Sequence, residues 1–157
     1  MIHFVKGDLL SSSCDYICHQ VNCRGVMGSG IAKQIRDKWP WVFTSYRAYY
    51  ERCKSRGESP LGSIWGVRVD YDNRNPRWVV NMFAQEDYGY HGGRFTSYDA
   101  FERCLEAMRD RLPKDKTIGF PKDIGCGLGG GSWCVIFHLI ERTLGEDFEV
   151  YIYELEV

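Results

Sequence analysis

Hydrophobic and polar positions follow two periods along this chain, and each period predicts its own kind of element. Six short runs rich in β-branched and aromatic residues predict strands, because these residues favour a pleated, half-buried surface. The predicted strands are residues 2–6, 16–21, 63–71, 77–83, 117–120 and 148–155.

Helices are predicted between these strands, where apolar residues recur at helical spacing. The predicted helices are residues 31–39, 44–56, about 96–112 and 132–144. Pro40 is expected to interrupt the first two, and Pro113 to end the third. Thr96 and Asp99 fit a capping box, and Ser132 is the expected N-cap of the last helix.

The order of these elements predicts an α/β fold with three layers, α/β/α, around a central sheet. Turn-forming residues at 72–76 join two strands directly, which predicts a hairpin and hence a mixed sheet. A chain of 157 residues has the length of one domain, so we expect residues 1–157 to form a single unit.

Charge and hydropathy narrow the class of partner. Twenty basic residues stand against twenty-one acidic ones, so the chain lacks the overall positive field that favours nucleic acids, whereas a small anionic ligand needs no such field. No apolar run approaches the roughly 18 residues of a membrane helix, and the N-terminus does not resemble a signal peptide. We expect a cytoplasmic monomer without membrane contact.

Seven cysteines are scattered along the chain, and reduced thiols are expected because a core of this size needs no disulfides. Cys14, Cys18, His19 and Cys23 could suggest a metal cluster. They contain no CxxC pair, and their strand would turn alternate side chains to opposite faces. We therefore expect buried thiols, with neither a metal nor a cofactor.

Two glycine-rich loops, residues 22–30 and 125–131, each follow a predicted strand and precede a predicted helix. Such loops present backbone N–H groups beside the positive end of a helix dipole, which suits a phosphate. Two loops at one sheet edge suit a diphosphate. A single loop of this kind would more often be only a tight turn.

Two other nucleotide folds fit less well. Gly125, Gly127 and Gly130 match the spacing of the dinucleotide fingerprint, but only one strand follows them, whereas that fingerprint opens a longer βαβ unit. The Gly-Lys-Ser/Thr sequence of P-loop proteins does not occur.

Four blocks of the sequence together resemble the macrodomain family. They are Gly7-Asp8-Leu9, residues 19–32 (HQVNCRGVMGSGIA), residues 81–85 (NMFAQ) and residues 124–133 (IGCGLGGGSW). The blocks span most of the chain and resemble the branch with ADP-ribose-1″-phosphate phosphatases and antitoxin-like or terminal ADP-ribose hydrolases. The resemblance implies an ADP-ribose ligand.

By this resemblance, Asp8 would accept a hydrogen bond from the adenine amino group, Leu9 would also contact the ligand, and Asn22 would touch the hydroxyls of the distal ribose. Gln85 would line the distal end. The backbone that would hold the two phosphates belongs to Gly28, Ser29, Gly30, Ile31, Gly125, Cys126, Gly127 and Leu128. The alternative for Asp8 is a cap or turn aspartate, and for Asn22 a turn asparagine.

His19 and Asn22 are the catalytic candidates, with His19 as general acid or base because an unperturbed imidazole titrates near neutral pH. Strand alternation raises a packed histidine as the alternative, since His19 lies three positions before Asn22. His91 is a second candidate. The lysine of the antitoxin-like branch has no counterpart, because residues 77–113 contain no lysine.

The expected activity is hydrolysis at the distal ribose, with ADP-ribose-1″-phosphate as the first substrate. One alternative is a reader that binds ADP-ribose without turnover. Another is a hydrolase acting on ADP-ribosylated protein or nucleic acid, for which we expect a basic rim near Arg24, Lys33 and Arg94.

Overall fold

A computed structural model describes residues 1–71, 74–89 and 93–155 of the chain. The strands are β1 Ile2–Lys6, β2 Tyr16–Asn22, β3 Ile64–Arg68, β4 Trp78–Gln85, β5 Thr117–Pro121 and β6 Glu149–Glu154. The helices are α1 Gly30–Lys38, α2 Pro40–Ser55, α3 Tyr98–Arg111 and α4 Trp133–Leu144, with a short helical turn at Leu9–Ser11.

The six strands form one sheet in the order β1-β6-β5-β2-β4-β3. Strands β3 and β4 pair antiparallel, and the other neighbouring pairs are parallel. The predicted hairpin and the mixed sheet are confirmed. Because β1, β6, β5, β2 and β4 all run the same way, their carboxyl ends meet at one edge of the sheet, where ligands of open α/β sheets bind.

Helices cover both faces of the sheet, which confirms the predicted three layers. Strand β2 divides its side chains between them, because consecutive residues of a strand point to opposite faces. Ile17 and Val21 are buried in the core under α1 and α2, together with Phe83 of β4. Cys18 is buried in the core under α3 and α4, together with Phe101.

Two predicted helix starts were wrong. The second helix begins at Pro40 and not at residue 44, because an N–H at the first helical position would have no partner within the helix, so proline loses nothing there and its fixed φ suits the position. The third helix is capped by Ser97, whose side chain accepts a hydrogen bond from the Ala100 amide. Thr96 instead donates its hydroxyl to the Gly125 carbonyl oxygen at 2.6 Å.

Within the ranges that the structure describes, no helix combines the length and the apolar character that a membrane crossing requires.

Arg77 fastens the chain at the edge of the sheet opposite the carboxyl ends. Its guanidinium forms two hydrogen bonds with the Asp70 carboxylate, at 2.5 and 3.2 Å. It also donates to the backbone oxygens of Leu10 and Ser12, at 3.1 and 2.8 Å. The guanidinium lowers the pKa of Asp70, so both groups stay charged at neutral pH. Arg77 thus ties the end of the hairpin to the segment that enters β2.

We predict that Arg77→Gln lowers the free energy of unfolding by about 2 kcal/mol, because half-buried carbonyl and carboxylate acceptors lose a charged donor. The control is Arg47→Gln, which removes an exposed pair with Glu51 at 3.8 Å and should cost only about 0.3–0.5 kcal/mol. Urea denaturation measures both. Equal losses in the two variants would contradict the anchoring role.

Candidate functional site

A cavity of about 310 Å³ opens at the carboxyl edge of the sheet, between the two glycine-rich loops. Its walls come from the ends of β2, β4 and β5, from both loops and from the first turn of α1. The lining residues are Gln20, Val21, Asn22, Val26, Met27, Gly28, Ser29, Gly30, Ile31, Ala32, Gln85, Tyr88, Gly89, Pro121, Lys122, Asp123, Ile124, Gly125, Gly127, Leu128 and Gly129.

The first loop is organised around the side chain of Asn22. Its Oδ1 accepts a hydrogen bond from the Arg24 amide at 2.9 Å and lies 3.0 Å from the buried Tyr46 hydroxyl. Its Nδ2 donates to the Val26 carbonyl oxygen at 2.9 Å. Because the oxygen is held inside the protein, the group that Asn22 can offer to a ligand is its second amide N–H.

The first turn of α1 presents open backbone amides to the cavity. Ser29 is the N-cap, but its side chain makes no capping hydrogen bond. The N-cap of α3 differs, since Ser97 does cap its helix. The first amides of a helix need an outside acceptor and lie at the positive end of the dipole. The start of α1 is therefore suited to an anionic group.

The second loop folds back on itself and leaves amides at its tip. Cys126, Gly130 and Gly131 donate their amides to carbonyl oxygens within residues 123–127. Within the described residues, the amides of Gly127 and Leu128 make no backbone hydrogen bond. They form the second set of donors that lines the cavity.

This tight loop requires glycine at position 130. Gly130 has φ +72°, in the left-handed region, and an added Cβ would lie 2.1 Å from the Gly93 carbonyl oxygen. Position 127 is different, because a Cβ there would meet no atom within 4 Å.

A hydrogen-bonded chain of side chains beneath the cavity ties the second loop to the sheet. The Thr96 hydroxyl donates to the Gly125 carbonyl oxygen and accepts from Gln20 Nε2 at 2.9 Å. Gln20 Nε2 also donates to Gln85 Oε1 at 2.6 Å. Gln85 Nε2 in turn donates to the Asp87 carbonyl oxygen at 2.8 Å. The ends of β2 and β4 and both neighbouring loops are thus fixed relative to one another.

Lys122 and Asp123 are charged residues of the cavity wall for which the sequence predicted no role. Lys122 pairs with Glu154 at 3.3 Å. Asp123 has φ +64°, and it is the sole non-glycine residue of the described ranges in the left-handed region. An aspartate that tolerates this conformation just before a glycine loop is the signal that could have marked the position.

The structure places most of the residues predicted to contact the ligand at this cavity, and their contact with a ligand stays a prediction. Nine of these residues line the cavity: Asn22, Gly28, Ser29, Gly30, Ile31, Gln85, Gly125, Gly127 and Leu128.

Three predicted contacts, Asp8, Leu9 and Cys126, are not among the described residues that line the cavity. Asp8 caps the short helical turn, because its Oδ1 accepts a hydrogen bond from the Leu10 amide at 3.1 Å. The structure thus shows the capping aspartate that was the alternative to a ligand contact. The Leu9 side chain is buried in the core. The Cys126 amide is already bonded to the Asp123 carbonyl oxygen. Contact of Asp8 with adenine stays a prediction.

The structure contradicts the prediction that His19 faces the ligand. Its side chain is fully buried and does not line the cavity, and Nε2 lies 2.6 Å from Asn81 Oδ1 on the adjacent strand. Burial lowers the pKa of His19 to about 4, which the hydrogen bond to Asn81 only partly opposes. His19 lies three positions before Asn22, so strand alternation turns the two side chains to opposite faces, and the register shift beside Asn22 adds its extra residue, Ala84, to β4 and not to β2. The second candidate, His91, lies outside the described residues.

The basic rim predicted for a nucleic acid substrate is largely neutralised. Arg24 pairs with Asp87 at 3.4 Å, and Lys33 pairs with Asp37 at 3.0 Å. The Arg94 guanidinium lies 4.6 Å from the Tyr98 ring centroid. Two of the three predicted cations are thus paired with a carboxylate, and none of the three is among the described residues that line the cavity.

Among the described residues, no group of three or more histidines, cysteines or carboxylates is arranged to hold a metal ion. Cys14, Cys18 and Cys23 are buried free thiols. Burial raises the pKa of Cys23 to about 12, so this thiol is protonated at neutral pH.

No family model matches the chain, but individual proteins do. The chain is similar to an ADP-ribose 1″-phosphate phosphatase of Scheffersomyces stipitis, with 39% identity over 71% of this chain and 70% of that protein. It is also 30% identical, over 98% of its length, to a DNA ADP-ribosyl glycohydrolase of Thermus aquaticus. The chain spans only 41% of that protein's length, and 22% of the similar glycohydrolases of two mycobacteria.

Solved structures share the fold along nearly the whole chain. A macrodomain protein from Streptomyces coelicolor superposes with a TM-score of 0.78 at 27% identity, covering 98% of both chains. Thermosipho africanus DarTG, solved in complex with ADP-ribose, superposes with a TM-score of 0.79 at 21% identity, over 98% of this chain and 41% of that one.

We predict that the ring of His19 stays neutral throughout the neutral pH range. Its ring signals, followed by NMR, should not change between pH 5 and 8, because burial holds the pKa near 4. In the unfolded chain His19 has its ordinary pKa of about 6.5, so below that pH it binds a proton that the buried ring of the folded chain does not bind. The free energy of unfolding therefore falls as the pH drops from about 6.5 towards 4. A titration midpoint near 6.5 for His19 would restore it as an acid or base.

Proposed function

This chain belongs to the macrodomain family, and from that premise we propose that it binds ADP-ribose and hydrolyses a substituent from the 1″ position of the distal ribose. ADP-ribose-1″-phosphate is the first substrate. The oxygen of a water molecule forms a bond to phosphorus, and the bond between phosphorus and the 1″ oxygen of the ribose breaks. The ribose oxygen takes up a proton, so that ADP-ribose and inorganic phosphate are the products.

The observation that carries this proposal is the pair of open amide sets on opposite walls of one cavity. One set belongs to the first turn of α1, and the other to Gly127 and Leu128. A diphosphate is held well by two such sets, because each phosphate receives several N–H donors. The named activities of the relatives all concern ADP-ribose derivatives, which supports the same ligand.

Asn22 and Gln85 would position the substituted ribose. Asn22 offers an N–H donor whose direction is fixed by Tyr46 and by the loop backbone. Gln85 is held by Gln20 and lies at the end of β4. Fixed donors lower the barrier mainly by orienting the reacting bond and stabilising charge that develops in the transition state. His19 has no part in this step.

Titratable side chains still lie at the cavity. Among the described lining residues they are Tyr88, Lys122 and Asp123. Asp123, an exposed carboxylate beside the second loop, is the candidate to accept a proton from the attacking water. Its replacement by Asn would keep the size of the side chain and remove the base.

The second candidate function is removal of ADP-ribose from a nucleic acid. The similarity to a DNA ADP-ribosyl glycohydrolase over 98% of the chain favours it. The absence of a lysine in residues 77–113 removes support for the lysine-centred route of the antitoxin-like branch, because Gln85 ends β4 instead. The third candidate function is binding of ADP-ribose without hydrolysis, which needs only the two glycine-rich loops.

Turnover assays separate these readings. The purified chain should release phosphate from ADP-ribose-1″-phosphate faster than it releases ADP-ribose from a modified oligonucleotide or a modified protein. Asp123→Asn should lower kcat by roughly 10²-fold or more with little change in KM, as expected for loss of a general base. Release of ADP-ribose alone would favour the second candidate. Tight binding of ADP-ribose without release of phosphate or ADP-ribose from any substrate would support binding without hydrolysis.

We also predict that Gly127→Glu abolishes ADP-ribose binding while the protein stays folded. The new side chain enters open space at the cavity wall, and its charge repels the diphosphate. The control is Gly66→Glu at the exposed position of β3, where an added Cβ lies 3.8 Å from Trp78. Calorimetry should give an affinity loss of roughly 10²-fold, about 2.7 kcal/mol, for the first variant only. Unchanged binding would remove the second loop from the site.

A further inference from the structure

Strand β1 forms one edge of the sheet and lacks most of the features that protect such an edge. It pairs with β6 on one side, and no described strand lies on its other side. Its five residues include one lysine, at the end, and neither a carboxylate nor a proline, and its register with β6 has no bulge. Edges are usually guarded by charges, prolines or bulges, because their open N–H and C=O groups attract another strand. Strand β1 is therefore available for pairing.

The open hydrogen-bonding groups of β1 belong to Ile2, Phe4 and Lys6. The Met1 carbonyl oxygen accepts a hydrogen bond from β6, and the Gly7 amide donates one to β6. Alternate residues of a strand turn their N–H and C=O groups to opposite sides. Residues 1, 3, 5 and 7 therefore face β6, and the groups of residues 2, 4 and 6 point away from the sheet.

These outward groups make β1 complementary to a second copy of itself. Antiparallel pairing centred on Phe4 sets Phe4 opposite Phe4 of the second copy, and Ile2 opposite Lys6. In a hydrogen-bonded antiparallel pair, two opposite residues exchange both of their hydrogen bonds. This register therefore uses every outward group of β1 in both copies, as the two-fold symmetry of a homodimer requires.

An exposed aromatic ring lies at the centre of this register. The Phe4 side chain is 66% exposed, and its ring centroid lies 5.6 Å from that of Phe137 on α4. The Phe137 ring in turn lies 5.8 Å from Trp133. Residues directly opposite each other in a sheet lie on the same face, close enough for their side chains to pack. The pairing would cover Phe4 and join the ring clusters of the two copies. The opposite edge, β3, has Gly66 at its centre and offers no ring there.

A carboxylate flanks the position that the second copy's lysine would reach. Glu141 of α4 is exposed, and within the described residues it forms no ion pair. It lies on the same side of α4 as Phe137, one turn away. One turn further on, the Gly145 carbonyl oxygen accepts a hydrogen bond from the chain's amino terminus at 2.6 Å. Glu141 therefore lies beside the start of β1, near Ile2, where the pairing brings Lys6 of the second copy.

Lys6 can turn to a second copy without leaving a carboxylate unpaired. Within one copy its ammonium group pairs with Glu154 at 3.0 Å. The same carboxylate also pairs with Lys122 at 3.3 Å. Both lysine pairs are exposed, so an exchange of partners costs little.

We propose that β1 is the interface of a homodimer, in which two copies pair antiparallel about Phe4 and their six-stranded sheets become continuous. A second copy fits this edge better than a strand of another protein, because the register, the central ring and the pairing of Lys6 with Glu141 are all self-complementary. The two cavities would lie at opposite edges of the joined sheet. The proposal is independent of the hydrolytic function, and it departs from the monomer expected from the sequence.

Sedimentation equilibrium of the natural chain from about 1 to 200 µM should show a concentration-dependent dimer. Phe4→Glu sets two like charges opposite each other and should raise the dimer dissociation constant at least roughly tenfold. The matched control is Tyr71→Glu, which changes an aromatic side chain that is 63% exposed and follows β3. This control should leave the dissociation constant within about twofold of the natural value.

Charge reversal tests the register. Lys6→Glu and Glu141→Lys should each raise the dissociation constant at least roughly threefold, because like charges then meet across the interface. The double variant K6E/E141K should return to within about twofold of the natural chain, since opposite charges meet again.

Thermal melting and ADP-ribose calorimetry on the same samples show whether each variant is folded and whether its cavity is intact. The proposal is overturned if the natural chain stays monomeric at the highest concentration, or if Phe4→Glu and Tyr71→Glu weaken association equally. A double charge reversal that restores nothing would overturn the register. A natural chain that dimerises but does not bind ADP-ribose would contradict the proposed function alone.

Discussion

Backbone amides that point into the cavity are the constraint on which the site depends. A helix start or a tight loop needs acceptors for its N–H groups, and side chains usually supply them. Here Ser97 supplies one at the start of α3, whereas Ser29 leaves the start of α1 open. The amides of Gly127 and Leu128 are open in the same way. By our proposal a ligand with two phosphates would accept hydrogen bonds from both sets, so that binding would complete the hydrogen bonding that folding leaves unfinished.

Buried side chains hold these amides in place. Thr96, Gln20 and Gln85 form one hydrogen-bonded chain from the second loop to the end of β4. Tyr46 and Asn22 do the same for the first loop. The precision of such a site comes from its supporting contacts, because a donor displaced by an ångström loses most of its value. Substitutions of Tyr46 or Thr96 would therefore affect function without touching a ligand.

The sequence allowed the element order, the hairpin, the mixed sheet and the glycine loops to be predicted, since each depends on local patterns. Strand alternation correctly raised a packed His19 as the alternative, but the partner that holds it, Asn81 on the adjacent strand, is a contact that no local pattern shows. Thr96 resembled a cap but bonds to Gly125, a contact across the fold that no local pattern shows.

The most direct measurement of the central claim is a crystal structure of the chain with ADP-ribose. The account predicts diphosphate oxygens within about 3 Å of amide nitrogens in both the first turn of α1 and the tip of the second loop, at Gly127 or Leu128. It also predicts the distal ribose beside Asn22, with His19 still buried. A diphosphate that touches only one loop, or that lies outside this cavity, would contradict the account.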